Sequence, residues 1–569
     1  MQAVKNLIAN KLFNIITEKF GKEPPPPEQL AEMLEYPPDT TMGHLAFPCF
    51  KLSRELRMGP PQIASALADG FECEYVAECS VAGGYLNFKL EGEKFIGYVI
   101  ANINDKGEKY GSPENGNGKT IVLDYSSPNV AKPFHIGHLG TTVIGHSLRL
   151  LHEFAGYKCV GINHLGDWGT QFGKMIVAYR KWSEVDLNNA SIDDLVALYV
   201  KFHAEAENDP ALEDEARAEF TKLEHFDPDN IALWKKFIEI SLEEYKITYD
   251  QLGIEFDSYA GESFYSDKMP AAIEKIKNAG ILEIDDGASV VKLEDYNMPP
   301  CLILKRDGSS LYPARDISAA IYRKETYDFS KCIYVTSAGQ SLHFAQWFKV
   351  MELMGYKWAA DELVHVPYGT VSINGAKLAT RTGNVILLRD LFNTAIEKVA
   401  GIINDKSPDL EDKDKVAEAV GVGAIVFHYL ANNRIRDINF NIEDALSFDG
   451  NTGPYAQYTH ARCCSILEKA GEFNGTVDFS KCTATELELA LTLSRFGERV
   501  NDALKEYEPS YITRYILDVC TAFNRFYHEC QILNCEEELR GARLSLVNGT
   551  KTVLSTALKL ICLKTPKKI

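Results

Sequence analysis

Two histidines three residues apart, His135 and His138, close a motif that begins with an apolar run and a Ser-Ser-Pro-Asn turn: residues 121–145 read IVLDYSSPNVAKPFHIGHLGTTVIG. Ile121-Val122-Leu123 reads as a buried strand, Ser126 to Asn129 as a turn, and the histidines as the opening of a helix. A strand that feeds a helix N-terminus offers free N–H groups and the positive end of a dipole to phosphate. At helical spacing the two rings share a face, and Gly137 lets a ligand approach the backbone closely. Two imidazoles so placed suit hydrogen bonds to phosphate oxygens while charge develops in a transition state. A surface histidine pair on an ordinary helix carries the same H-x-G-H signature. Zinc chemistry would need further ligands, and no H-E-x-x-H is present.

Other chemistry-bearing residues recur at expected strand ends. His164, Asp167, Trp168 and Gly169 follow Val160-Gly161-Ile162, where ligands sit in open α/β sheets. Asp167 would alternatively cap the helix containing Gln171-Phe172-Gly173. Leu302-Ile303-Leu304 and Ser310-Leu311-Tyr312 flank Arg306-Asp307-Gly308, a hairpin pattern at which the sheet is expected to resume. Tyr312 and Asp316 face the same way if a helix begins there. A carboxylate beside a ring suits a planar guanidinium, although Asp316 serves equally as partner to Arg315 or Arg323. Gln340 and His343 follow the strand Ile333-Tyr334-Val335; a buried capping role is the alternative. Lys377-Leu378-Ala379-Thr380-Arg381, with Gly383 behind it, is a basic loop able to close over a triphosphate, as are many surface turns.

The elements that must position these groups divide the 569 residues into three parts. Residues 1–115 read as a small α+β domain: an opening helix broken by Pro24 to Pro27, a helix in PQIASALADGF, and a strand in VAGGYLNFKL after Gly83-Gly84. Residues 116–390 carry the strands and turns above. Within them, about 182–296 is acidic and helical in period, an insertion packed on the main sheet whose charge run reads as a solvated face. Residues 391–569 are consecutive amphipathic segments, hence a helix bundle.

Bulk composition is that of an ordinary globular chain, 45% apolar and 25% charged, with no apolar run of membrane-spanning length. The N-terminus lacks the features of a signal or transit peptide, so the expected location is the cytoplasm. Thirteen cysteines without C-x-x-C spacing point to reduced thiols. The net charge of -20 argues against nucleic acid only if charge is averaged over the chain; residues 501–569 carry ten Lys and Arg against eight Asp and Glu. Phe448 to Arg462, FDGNTGPYAQYTHAR, has aromatic rings and a basic end that suit splayed RNA bases or, equally, a bundle core.

The block SSPNVAKPFHIGHL resembles the "HIGH" region of class I aminoacyl-tRNA synthetases, and its S-P-N-x-A-K flank resembles the arginyl-tRNA synthetases in particular. G-D-W-G at 166–169, L-Y-x-x-R-D at 311–316, G-x-x-Q-x-x-H at 337–343 by position of Gln340 and His343, and D-G-x-T-x-x-Y-x-Q-Y-x-x-A-R near 449–462 follow in family order. The resemblance implies an α/β fold: a Rossmann-like parallel-sheet catalytic domain with an inserted helical segment, a small tRNA-contacting α+β N-terminal domain and a C-terminal α-helical anticodon-binding bundle. It implies ligation of L-arginine to tRNA(Arg) with ATP and Mg2+, by a monomer, and a need for tRNA during arginine activation. By the same resemblance Lys132, His135, His138 and Lys377 are catalytic. His135, Gly137, His138, His343 and Lys377 hold the nucleotide. Asp124, Ser127, Asn129, His138, Tyr312, Asp316 and Gln340 bind arginine. The "KMSKS" loop is degenerate here, with Thr380 at the usual second Lys, which moves weight onto Lys132. A synthetase for cysteine or methionine, a small nucleotidyltransferase and a non-catalytic RNA-binding relative are the competing readings.

Overall fold

The computed structural model describes residues 1–306, 308, 311–373, 376–377, 386–472, 475 and 477–569; the side chains of Ala376 and Lys377 fall outside the description. The chain forms two compact units. One comprises Met1–Gly111, Thr459–Asn501 and Tyr515–Thr556; the other comprises Ser112–Tyr458, Asp502–Arg514 and Ala557–Ile569.

In the first unit the helix Gln2–Phe20 buries Val4, Ile8, Leu12, Ile15 and Ile16, an apolar stripe at helical spacing, and stops at Gly21, whose φ of 61° an L side chain would resist. Strands β1 (Leu45–Pro48), β2 (Val76–Ala82) and β3 (Tyr85–Leu90) form an antiparallel sheet in the order β1-β3-β2, with Gly83-Gly84 at the β2–β3 turn. The Met1 ammonium donates to the Ser494 carbonyl (3.0 Å), and Lys5 and Tyr36 both reach Glu498 (3.2 and 2.6 Å). These contacts tie the N-terminal segment to C-terminal helices within this unit.

The second unit is built on a parallel sheet. β4 (Thr120–Asp124) is followed by the helix Leu139–Phe154 and then β5 (Lys158–Ile162). Helices Thr170–Trp182, Ile192–Asn208, Ala211–Glu224 and Pro228–Leu252 come next. They do not spread over the sheet as the acidic pattern suggested. Phe172, Ile176, Leu195, Phe202, Leu223 and Phe237 give them a core of their own, joined by Val130, Ala131 and Leu165 from strand-end loops.

β6 (Leu282–Asp285), β7 (Ala288–Val291) and β8 (Cys301–Leu304) form a separate antiparallel sheet. The expected resumption of the main sheet at 302 is therefore corrected: β8 pairs with β7, in a sheet separate from the main one. Tyr312 instead starts a helix, Tyr312–Tyr327, with Pro313 in its first turn, where a missing N–H costs nothing. Among the described residues of the anticipated hairpin, Leu311 N–H donates to the Ile303 carbonyl (3.1 Å); Asp307 and Ser310 lie outside the described residues.

The main sheet resumes with β9 (Lys331–Ser337) and β10 (Leu363–Tyr368), giving the order β10-β9-β4-β5 with every pairing parallel. Its core holds Val122, Val160, Ile162, Cys332, Tyr334 and Trp347. Asp124 stands opposite Ile162 on one side and Tyr334 on the other, so β4 and β5 end level while β9 runs on to Ser337. A last small sheet has the order β12-β11-β13, from β11 (Val371–Ile373), β12 (Ala376–Lys377) and β13 (Ile438–Phe440). β13 is a strand inside the stretch that reads as helical; three residues are too few to show a period. The rest of that stretch is helical, as in Leu388–Lys406, Lys413–Leu430, Ser510–Glu529 and Glu537–Leu560. Among the described residues no helix is long and apolar enough to cross a membrane.

Candidate active site

The turn after β4 is held in an unfavourable backbone region. Ser126, Ser127 and Ala131 have φ of 68°, 46° and 59°, positions that cost a non-glycine residue of order 1 kcal/mol or more. A chain of hydroxyls offsets that cost. Thr142 Oγ1 donates to the His138 carbonyl (2.7 Å), which leaves it free to accept from Ser126 Oγ (2.9 Å). Ser126 Oγ in turn accepts from the Tyr249 hydroxyl (2.8 Å), which accepts from Asn163 Nδ2 (3.0 Å). Asn163 Oδ1 accepts the Ser127 N–H (3.1 Å), and Thr141 Oγ1 accepts the Ser126 N–H while donating to Val335 of β9. The ends of β4, β5 and β9 are thus laced to the start of the helix that follows the histidines.

His135 and His138 stand with ring centroids 4.1 Å apart, and Phe134 stacks on His138 at 5.2 Å. His135 precedes a short 3-10 turn, Ile136–His138, and the α-helix proper begins at Leu139. Each ring accepts a backbone N–H at Nδ1: Gly137 donates to His135 (3.0 Å) and His135 to His138 (3.2 Å). Burial pushes His135 down to about 4 and His138, which also feels His135, down to about 3. Both imidazoles are therefore neutral at pH 7. With Nδ1 accepting, the ring proton of each must sit on Nε2. The pair is two pre-set neutral donors. Lys132 is half-buried nearby, its ammonium disfavoured by burial, and its carbonyl shares the Tyr245 hydroxyl with that of Asn129 (2.8 Å each). The backbone at His135 also pairs antiparallel with Leu387, directly after the Lys377 loop. Thr380, Arg381 and Gly383 lie outside the described residues, as does the Lys377 side chain.

The other end of the site is made of ion pairs. Asp124 spends both oxygens inside the protein, one on Ser127 Oγ (2.9 Å) and one on Arg323 (2.8 Å), which is 1% exposed. Arg323 sits on the same helix as Tyr312 and Asp316. Asp316 does not take Arg315 or Arg323 as partner; it accepts from His343 Nε2 (2.6 Å). Arg315 instead pairs with Glu262 (2.7 Å), and the Arg315 guanidinium lies near the Tyr312 ring. Tyr312 is mostly exposed and Gln340, in the 3-10 turn Ala338–Gln340 after β9, is exposed. Asn129 is exposed above Gly166, where any Cβ would collide with it at 2.2 Å. Asp167 is not a helix cap. It accepts from the N–H and hydroxyl of Ser263 (2.8 and 2.6 Å), while the helix begins behind Gly169 with no side-chain cap.

Ser126 and Ser127 join the two ends: one is bonded into the histidine helix, the other to Asp124 and through it to the Tyr312–Tyr327 helix. The residues that sequence reasoning missed are Glu262 and Tyr249; Arg323, offered there as a partner for Asp316, pairs with Asp124 instead. Arg323 looks like any helix-surface arginine in IYRKETY, and Glu262 reaches the site only because the long insertion folds back.

The same chain matches three family models: "tRNA synthetases class I (R), catalytic domain" over residues 99–442, "DALR anticodon binding domain" over 456–569, and "Arginyl tRNA synthetase N terminal domain" over 2–90. It is 49% identical over 551 residues to the arginine–tRNA ligase of Alkaliphilus metalliredigens, covering 95% of this chain and 96% of that one. It is likewise 49% identical over 547 residues to that of Clostridium perfringens, covering 95% and 97%. Among solved structures, the Thermus thermophilus arginyl-tRNA synthetase superposes with a TM-score of 0.83 at 25% identity, each chain covered completely.

Proposed function

The chain belongs to the class I arginyl-tRNA synthetases, and from that premise we propose how its residues divide the work of the reaction. It is an arginine–tRNA ligase: it activates L-arginine with ATP and charges tRNA(Arg). In the first step an oxygen of the arginine carboxylate bonds to the α-phosphorus of ATP, and the bond to the pyrophosphate oxygen breaks. In the second, the 2′-hydroxyl of the terminal adenosine takes the arginyl group and AMP leaves. Neither step calls for a covalent enzyme intermediate, so catalysis rests on positioning and on hydrogen bonds to developing charge.

One observation carries this reading: two neighbouring imidazoles whose Nδ1 atoms are occupied by backbone N–H groups, leaving two Nε2–H donors side by side at a strand-to-helix turn. We assign these donors to the phosphates, with Gly137 giving backbone access and Lys132 and Lys377 supplying positive charge. His343 lies closer in bonding to the arginine end, through Asp316, than to the histidine pair. Ser127, Asn129 and His138 are assigned to the amino and carboxylate groups of arginine, with Asp124 orienting Ser127. Tyr312, Asp316 and Gln340 are assigned to the guanidinium. Magnesium, on this reading, arrives with ATP as part of the substrate. We take the N-terminal α+β domain, residues 1–115, to contact tRNA and the bundle, 391–569, to read the anticodon, in a cytoplasmic monomer.

The test is attachment of radiolabelled amino acids to bulk tRNA. Arginine alone should be incorporated, and ATP–pyrophosphate exchange with arginine should depend on added tRNA. Incorporation of another amino acid, or none, would overturn the substrate; full exchange without tRNA would overturn only the requirement for tRNA.

A further inference from the structure

The turn from Asn129 to Lys132 carries Ala131 at its third position with a φ of 59°, where glycine is the usual residue. Lys132 ends that turn and is followed by Pro133, which has no N–H and stiffens the backbone before it. The turn lies against the helix Pro228–Leu252 of the insertion, and two side chains four apart, on one face of that helix, reach it. Ser241 Oγ donates to the Phe237 carbonyl (2.7 Å), which leaves it to accept the Ala131 N–H (3.0 Å). The Tyr245 hydroxyl is shared between the Asn129 and Lys132 carbonyls, 2.8 Å from each. Tyr245 is fully buried, and burial raises its hydroxyl far above the ordinary value, so it keeps its proton and donates. One proton spanning the first and fourth carbonyls of the turn ties its two ends together.

The same tyrosine touches the histidine segment. Its ring packs on Phe134 with 5.2 Å between centroids, and Phe134 is the ring that stacks on His138. Lys132 stands three residues before His135, and its charge bears on His138, holding that ring further from protonation.

We propose that Tyr245 is a positioning residue for Lys132: by tying the Lys132 carbonyl to that of Asn129 it sets where the lysine side chain leaves the turn, and so directs the ammonium toward the histidine pair. The inference rests on the assignment of Lys132 to the phosphates made above. Lysine is a point charge on a flexible four-carbon stem. The stem does not orient the charge, so the backbone at its root must. A helix of the insertion therefore decides where a catalytic cation stands. If the stem could make up for a shifted root, removing the Tyr245 hydroxyl would cost no rate.

A double-mutant cycle on the full chain tests this, with arginine-driven ATP–pyrophosphate exchange in the presence of tRNA as the readout. Rates taken at saturating arginine and ATP exclude what Tyr245 does to arginine binding through Asn129. Tyr245→Phe keeps the ring and removes the hydroxyl; it should lower kcat by about fivefold, the scale of one net hydrogen bond. Lys132→Met removes the ammonium and should lower kcat by about a hundredfold or more. The double variant should be slower than Lys132→Met by less than about twofold, because a root that carries no charge has nothing left to place. Losses that multiply in full would overturn the role of Tyr245 and leave Lys132 where it is assigned, as would Tyr245→Phe at the wild-type rate. Lys132→Met at the wild-type rate would overturn both. Ser241→Ala frees the Ala131 N–H of the same turn, and its cycle with Lys132→Met decides the matter if Tyr245→Phe does not fold.

Discussion

The two ends of the site solve opposite electrostatic problems. At the end we assign to the phosphates the protein removes charge: burial keeps His135 and His138 neutral, and backbone N–H groups fix which nitrogen carries the proton. At the end we assign to the guanidinium it gathers carboxylates beside partners, Asp124 with Arg323, Glu262 with Arg315 and Asp316 with His343. An incoming triphosphate brings its own negative charge, so neutral donors suffice to bind it without a standing desolvation cost. An incoming guanidinium needs carboxylates already ionised, and buried carboxylates stay so only when counter-charges stand behind them. Damage should therefore differ in kind: lost stability or arginine binding at one end, lost rate at the other.

The sharpest break is Arg323→Met. It strips the buried counter-ion from Asp124 and should cost about 3–5 kcal/mol of folding stability, as other orphaned buried charges do. The double change with Asp124→Asn should restore much of that cost, since no charge is then left unpaired. Chemical denaturation of both variants checks it; a single variant as stable as wild type would remove Asp124–Arg323 from the comparison. Next in size is His138→Ala, which removes one Nε2–H donor and should cost about 2.7–4 kcal/mol in kcat, the scale of a lost oxyanion donor. Aminoacylation kinetics, read on the folded fraction, should show this loss, since Ala also removes the acceptor of the His135 N–H and the ring against Phe134.

Acid sharpens the contrast further. The folded values of about 4 for His135 and about 3 for His138 lie below the ordinary 6.5, and buried His146 falls to about 3 as well. Between those values the unfolded chain binds more protons than the folded one. Their contribution to stability is complete above about pH 6.5 and is lost as pH falls toward 3–4, by at most about 1.4 kcal/mol per pH unit for each ring. Thermal denaturation should show a lower Tm at pH 5 than at pH 7, with a smaller drop in His138→Asn. An unchanged drop would mean that His138 is not buried as a neutral ring.

Local pattern made much of this legible. Ile121 to Leu123, Val160 to Ile162 and Ile333 to Val335 are short apolar runs, and each is a strand of the parallel sheet. Tyr312 and Asp316 share a helix start that Pro313 helps to fix. What pattern could not convey was pairing across distance. Leu302 to Leu304 is a strand by composition, but nothing local says that its partner lies upstream at 288–291. Asp167 has the look of a helix cap, yet Ser263, nearly a hundred residues on, takes both its oxygens. Glu262 reads as a surface charge because it meets Arg315 only when the insertion has folded back, and Arg323, readable as a partner for Asp316 on its own helix, pairs instead with Asp124 some two hundred residues earlier in the chain.

The smallest expected effect tests the seam between the two ends. Tyr249 comes from the inserted helix Pro228–Leu252, is 1% exposed, and stands midway in the series Asn163, Tyr249, Ser126, Thr142, His138 carbonyl. Every hydroxyl there both donates and accepts, so the series has one direction only. Removing the Tyr249 oxygen deprives Ser126 of a donor and Asn163 of an acceptor while keeping the ring, whose packing against Phe134 and Phe256 is apolar. Tyr249→Phe should then cost about 1 kcal/mol of stability, a typical net hydrogen bond. The left-handed turn at Ser126 and Ser127 loses a restraint at the point where β4 serves both ends, so a modest fall in kcat should accompany a modest rise in KM for arginine. A change in one constant without the other would mean that the turn serves a single end, and that the hydroxyl series does not couple them.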